Sequence, residues 1–458
     1  MGMPASGGFH HNMGLSAPAD GGIFARPIAI AMKMKCVLSC LAGLLAALSL
    51  SAQTRPQTEP RLTVGGYGEA AFSASFYSDN VYRYSSAGAH AGERHSRVDI
   101  PHAVIYLGYD FGHGWTLQTE IEFEHTGTGA AVEKEFEEAG EWETEIEKGG
   151  EVELEQFWIQ KSFHPALNLR MGHIIVPVGG LNNAHEPLNY FTVYRSEGEY
   201  TILPSTWHDT GISLWGRAGD WRYEALAVAG LDAYLFNTEN FVKYGAGSPY
   251  EFKVANQLGF AARIDNYSVA GLRLSLSGFY GRAMDNSYPY EAIAETSRYY
   301  GVKGRTAIGA FDFEYKSKRF VARGNADYGT VGDAYTISYM KRNRSANNSP
   351  YKKSDVGRAA VAAGVEMGYD ILPWLSRRAD GKKLFAFGRY EYYNSYIPDE
   401  GSPRADWTQK HRIALGFNYL PVPEIAIKAE YSYRFLPAAY NPEPSISLGV
   451  CYMAFFRR

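Results

Sequence analysis

Charged side chains at every second position are the residues of this chain with chemistry to offer. Glu120 and Glu122 stand opposite Trp115, Leu117, Ile121 and Phe123, while Arg170, Arg217, Arg263, Arg273 and Arg323 recur opposite apolar neighbours in later segments. Side chains spaced by two share one face of a strand, so such a wall carries fixed charge of both signs along a water-filled path. Carboxylates crowd the third and fourth alternating segments and arginines the eighth, ninth and eleventh, which predicts a field across a lumen. A second charged group lies on one non-periodic stretch, Val178 to Thr206. It holds His185, Glu186, Arg195, Glu197 and Glu199 with Tyr190, Phe191 and Tyr194, and no lysine. Folded inward, that stretch would narrow the lumen and act on solutes where water is scarcest.

Catalytic constellations are missing from the sequence. There is no G-x-S-x-G elbow, no H-E-x-x-H and no phosphate-binding glycine loop. Trp207-His208-Asp209 places a histidine beside an acid, but neighbouring strand residues point to opposite faces. His102, His173 and His208 are therefore read as pore or girdle residues. No enzyme activity, cofactor or metal site is expected, and no twelve-residue calcium loop is present.

These residues need elements to carry them, and composition limits the choice. The 458 residues include 48 Gly, 34 Tyr and 24 Phe, with a mean hydropathy of −0.29. Past the leader, no run of 18 or more apolar residues offers a membrane helix. A net charge of −4 argues against nucleic acid as a partner. Of the three Cys, Cys36 and Cys40 lie in the leader, which leaves Cys451 without a disulfide partner.

Residues 32–52 carry two lysines, an apolar run from Cys36 to Leu50 and small residues to Ala52, the pattern of a secretory signal peptide. Residues 1–31 fit no targeting pattern and read as a mis-assigned or non-native extension before a start at Met32 or Met34. A lipoprotein reading through Cys40 leaves almost no apolar stretch before the cysteine. Residues 53–60 form a polar linker, and 61–458 the folded body.

From Arg61 onward, apolar and polar residues alternate over about ten positions at a time, broken by Gly, Asn, Asp and Pro. About sixteen such strands are expected, centred roughly at 69, 104, 120, 158, 171, 212, 226, 259, 276, 311, 324, 364, 389, 415, 429 and 451. Their connections alternate between short and long. That is the pattern of an all-β, antiparallel transmembrane β-barrel of the outer membrane, with short periplasmic turns and long extracellular loops. Lipid leaves no partner for an open sheet edge, so the sheet must close. Trp115 and Trp221 after short turns, and Phe76, Phe123, Tyr328, Tyr392 and Tyr433 toward long loops, suit two aromatic girdles. The competing architecture, a soluble sandwich or propeller, has shorter strands and no reason for loops to alternate in length. A TonB-dependent transporter would need roughly 150 more residues for its plug and 22 strands.

The stretch LNLRMGHIIVPVGG at Leu167–Gly180, with Tyr194-Arg195 and then TWHDTGISLWG at Thr206–Gly216, resembles the phosphate-selective porin O and P family. Gly172, Pro177, Gly179, Arg195, Gly211 and Gly216 carry the match. The resemblance implies a sixteen-stranded, trimeric passive porin with an inward constriction loop. The family's phosphate selectivity rests on an arginine ladder and a lysine cluster at the constriction. The end of the chain, with Ile446, Leu448, Val450, Tyr452 and Phe456 alternating, is similar to the final-strand signal read by the barrel-assembly machinery.

The expected function is a porin for passive diffusion of small hydrophilic or anionic solutes, set in outer-membrane lipid and lipopolysaccharide. A non-conducting surface or adhesion barrel and an outer-membrane hydrolase are the alternatives. The acidic segment Glu133–Glu155 is expected to form a hairpin above the membrane, turning at Lys148-Gly149-Gly150.

Overall fold

The computed structural model describes residues 61–457 apart from 87, 126–127, 129, 137–141, 149, 249–251, 288–296, 298, 343–353 and 377–380. The expected leader and linker at 32–60, and the extension before them, lie outside the described residues.

Period-two alternation produces sixteen long strands that close into one antiparallel barrel. In chain order they are β1 (Arg61–Ser75), β2 (His95–Gly112), β3 (Trp115–Glu124), β6 (Glu151–His164), β7 (Leu167–Ile175), β8 (His208–Ala218), β9 (Trp221–Val228), β10 (Gly259–Asn266), β11 (Leu272–Arg282), β12 (Arg305–Lys316), β13 (Phe320–Val331), β14 (Ala359–Asp370), β15 (Lys383–Ile397), β16 (Gln409–Val422), β17 (Ile425–Phe435) and β18 (Glu443–Arg457). Each expected centre falls inside one of them. β1 pairs with β18, setting Ala70 opposite Val450, so no edge is left to lipid. The remaining strands, β4 (Ala130–Phe136) and β5 (Trp142–Lys148), pair only with each other.

The outward face is apolar. Leu107, Ile159, Ile212, Leu276, Phe311, Leu415, Phe417, Ile427 and Leu448 are all exposed, a continuous belt that water would not tolerate on a monomeric protein. Trp115 and Trp221 at one rim, and Phe76 and Tyr328 at the other, are exposed aromatics of the two girdles. Closed sheet and apolar belt together make this an outer-membrane barrel.

Three expectations need correction. First, the acidic hairpin turns elsewhere: β5 pairs back onto β4, with Glu133 opposite Glu145, while Glu151–Glu155 begins β6 and pairs with β3 in the wall. Gly150, at a φ of 92°, ends the hairpin instead of forming its turn. Second, the interior is not polar throughout. Leu226, Val228, Ala261, Phe279, Ile308 and Ala310 face inward and pack with Val176, Ile202, Leu203 and Trp207 of the loop after β7, and with Phe236, Phe241 and Ile337 of later loops. Long loops bring apolar side chains into the lumen, and the wall beneath them is apolar to match. Third, strict alternation fails at several bulges, two of which bear on the lumen wall. Glu120 pairs with Gln156 and Ile121 with Leu154, so Glu155 is an extra residue and both Glu155 and Gln156 face inward. A second irregularity, between the Glu69–His102 and Ala71–Asp99 pairs, turns Pro101 and His102 inward together.

Candidate functional site

A connection folded into a barrel must find partners for the backbone groups it buries. The 176–207 loop after β7 meets this demand with charged side chains of the wall. Lys428 donates to the carbonyls of Pro187 (2.6 Å), Tyr190 (3.0 Å) and Thr192 (2.9 Å). The amides of Phe191, Val193 and Gly198 donate to the carboxylates of Glu366, Glu430 and Glu391 at 3.1, 2.8 and 3.1 Å. On the near side, Arg263 donates to the Gly179 carbonyl at 3.0 Å. The loop therefore crosses the lumen and is held on both sides.

Its short helix α1 (Glu197–Ile202) is fixed by charge. Glu197 lies 2.7 Å from Arg434 and 3.3 Å from Arg412, and accepts from the Tyr393 hydroxyl at 2.7 Å. Burial pushes its carboxyl up, but the two guanidiniums outweigh burial and hold it at about 2. Glu199 has no such pair among the described residues. It is buried, accepts from the Leu181 amide at 2.9 Å, and burial lifts its carboxyl to about 7. Gly179 sits against it at a φ of 82°, and a Cβ there would run into Glu199 Oε1.

The other expected lumen residues fall into wall networks. Arg170 bonds Gln160 at 3.3 Å and lies over the Trp158 ring at 4.5 Å. Arg263 pairs with Asp265 at 2.7 Å and Asp312 at 2.9 Å, and Arg273 with Asp312 at 2.8 Å. Arg323 bridges Glu314 (2.9 Å) and Glu366 (3.0 Å). Arg217 faces the Tyr267 ring at 5.5 Å. Arg263, Arg273 and Arg323 are thus paired with carboxylates of their own wall, which weakens the expected field across the lumen, while Arg217 has no ion pair among the described residues.

The opposite wall gathers carboxyl groups, Glu120, Glu122 and Glu155 among them. Glu120, bonded by Gln156, lies 3.7 Å from His185, and Glu122 is 2.5 Å from His102. His185, at the edge of the Tyr67 ring, is buried. Burial would lower its imidazolium, but Glu120, Glu186 and Glu155 outweigh that and raise it to about 9. Glu186 accepts from Asn189 at 2.7 Å. Arg195 is also buried, donating to the His185 carbonyl at 3.3 Å. His173 and His208 bond each other at 2.6 Å.

Two spaces remain on either side of the loop. Toward the short-turn rim lies a cavity of about 650 Å³ lined by Arg217, Arg222, Arg263, Arg273 and Lys316, with Asp265 and Glu314. Toward the long-loop rim lies one of about 500 Å³, floored by Tyr194, Arg195, Glu197 and Tyr200. Sequence reasoning missed the docking set of Lys428, Glu366, Glu391 and Glu430 as site residues. All stand at polar positions of alternating strands, so their face was legible and their partners were not.

The fold and the filled lumen define a porin-like barrel. No family model matches the chain. A relative from Aquifex aeolicus (strain VF5), described as an uncharacterized protein, is 25% identical over 391 residues, 82% of this chain and 76% of its own. The outer membrane channel DcaP of Acinetobacter baumannii is similar in structure with a TM-score of 0.50 at 13% identity, over 86% of this chain and 97% of that one. The anion-selective porin from Comamonas acidovorans gives a TM-score of 0.48 at 9% identity, over 86% and 100%. The likeness to DcaP is one of fold.

Proposed function

We propose that the barrel is an outer-membrane diffusion channel for small hydrophilic solutes, anions above all, with Val178–Thr206 as its constriction. The observation that carries this reading is the pair of charged cavities, about 650 and 500 Å³, on the two sides of the docked loop. Five cationic side chains line the larger one; Glu224, Asp265, Asp312 and Glu314 pair with four of them, and Arg217, over the Tyr267 ring, leaves a cationic excess there. Fixed positive charge in a water-filled vestibule raises the local concentration of anions. The resemblance of Gly172, Pro177, Gly179, Arg195, Gly211 and Gly216 to the phosphate-selective porin O and P family supports a porin with an inward loop, and we read the barrel as one member of a homotrimer.

Reversal potentials across planar bilayers in a potassium chloride gradient test the proposal. Arg195 is too buried to report on selectivity without disturbing the loop, so Arg217, which is exposed, is the residue to change. Arg217→Glu is expected to move the reversal potential toward cation preference, and an unchanged potential would reject a role for this vestibule. One observation favours a second reading, a barrel closed by its own loop: contacts reach from Glu120 on β3 to Lys428 on β17. Absence of conductance would favour it.

A further inference from the structure

Buried polar atoms without partners are costly, and three such groups meet where the loop touches the carboxylate wall. Glu120 and Glu155 are 0% and 1% exposed and His185 is 2% exposed. Oε1 of Glu120, Oε2 of Glu155 and both ring nitrogens of His185 make no hydrogen bond among the described residues. One donor atom from each of the three lies within 4.8 Å of the others. The backbone builds this convergence: the bulge in β6 turns Glu155 inward beside Gln156, where regular alternation would send one of them to lipid. Gln156 in turn bonds the second oxygen of Glu120 and orients that carboxylate.

We infer that Glu120, Glu155 and His185 form a binding site for one divalent transition-metal ion, which ties the lumen loop to the barrel wall. Three donors no more than 4.8 Å apart share a point at most about 2.8 Å from each, so each moves in by about 0.7 Å or less to reach a zinc bond of about 2.0–2.2 Å. Two carboxylates and an imidazole suit a borderline ion such as Zn²⁺ or Co²⁺ with an open fourth position. Calcium would ask for six or more oxygens. Three carboxyls, Glu120, Glu122 and Glu155, stand against Arg195 and the His185 imidazole, and a bound cation would take the place of the imidazole proton. Sequence spacing gives no hint of the site, since His185 comes from a loop and the other two from separate strands.

The test uses the full chain in detergent, stripped with chelator and titrated with Zn²⁺ by calorimetry and with Co²⁺ by visible absorption. One ion per chain is expected, with ligand-field bands from a site of low coordination number. His185→Gln and Glu155→Gln should each weaken uptake by at least about tenfold. Comparison with the parent chain cancels uptake by other histidines, and heat-modifiable gel mobility establishes that each variant is folded. Glu151→Gln, outside the triad, should bind like the parent. Lack of saturable uptake, or parental affinity in folded His185→Gln, would overturn the inference. Neither readout depends on conductance, so failure here and failure of the channel reading are separable.

Discussion

Lys428 illustrates how one side chain decides the state of the lumen. Its ammonium is the donor for the carbonyls of Pro187, Tyr190 and Thr192, all in a buried setting. Lys428→Met leaves those carbonyls bare, at a cost of about 3 kcal/mol or more. The amides of Phe191 and Val193, protected in the parent by wall carboxylates, should then exchange with solvent deuterium while the strands remain protected. Equal protection in both proteins would mean that the loop is held otherwise. Glu199 gives a pH dependence of known sign. Its carboxyl is raised to about 7 in the fold, against an ordinary value near 4.5, so the folded chain favours the protonated form. Stability from this residue is complete below about 4.5 and is lost as pH rises through about 7. Glu199→Gln should therefore raise stability at pH 8 by an amount on the order of 2–3 kcal/mol, seen as a higher thermal midpoint, and leave it unchanged at pH 4. Glu197 runs the other way: held at about 2, it contributes fully above about 4.5, and that contribution fades as pH falls toward 2.

Among the elements, the barrel wall and the β4–β5 hairpin are separable. The hairpin's ladder hydrogen bonds are its own, whereas β3 and β6 on either side pair with each other directly, through Phe123 opposite Val152. Replacing residues 130–148 with a short Gly/Ser link should leave heat-modifiable gel mobility and the thermal midpoint as in the parent. A barrel that fails to form would show that the hairpin helps to align β3 with β6. The wall itself was legible in the sequence because lipid outside and polar partners inside force alternation on every strand, as Ile413, Leu415 and Phe417 display on β16. The bulge at Glu155 was hidden: Glu153 and Glu155 continue the alternation of the acidic run, and only the pairing with β3 reveals that Phe157 belongs to the lipid face.

At the scale of the whole molecule, strand number, strand position and the short–long rhythm of connections followed from the chain alone, and the closed order of sixteen strands matches them. The contents of the lumen did not. Lys428 meets Pro187 across 241 positions of sequence, and Phe191 packs on Phe385 and Phe387 of a distant strand. Such contacts leave no local pattern, because the barrel's curvature, and not neighbourhood in the chain, brings them together. That the arginines of β10, β11 and β13 face the lumen was legible and cross-strand ion pairing was an open reading, but which carboxylates they meet was not. The central claim is that a water path persists past a loop docked across the barrel. Single-channel conductance in planar bilayers, measured on the parent and on a chain with Leu181–Ile202 replaced by a short Gly/Ser link, tests it most directly. Small, steady openings are expected for the parent, and conductance at least about twofold larger once the loop is gone, as when the narrowest part of a water-filled pore is widened. Equal conductance in the two proteins, or none in either, would contradict it.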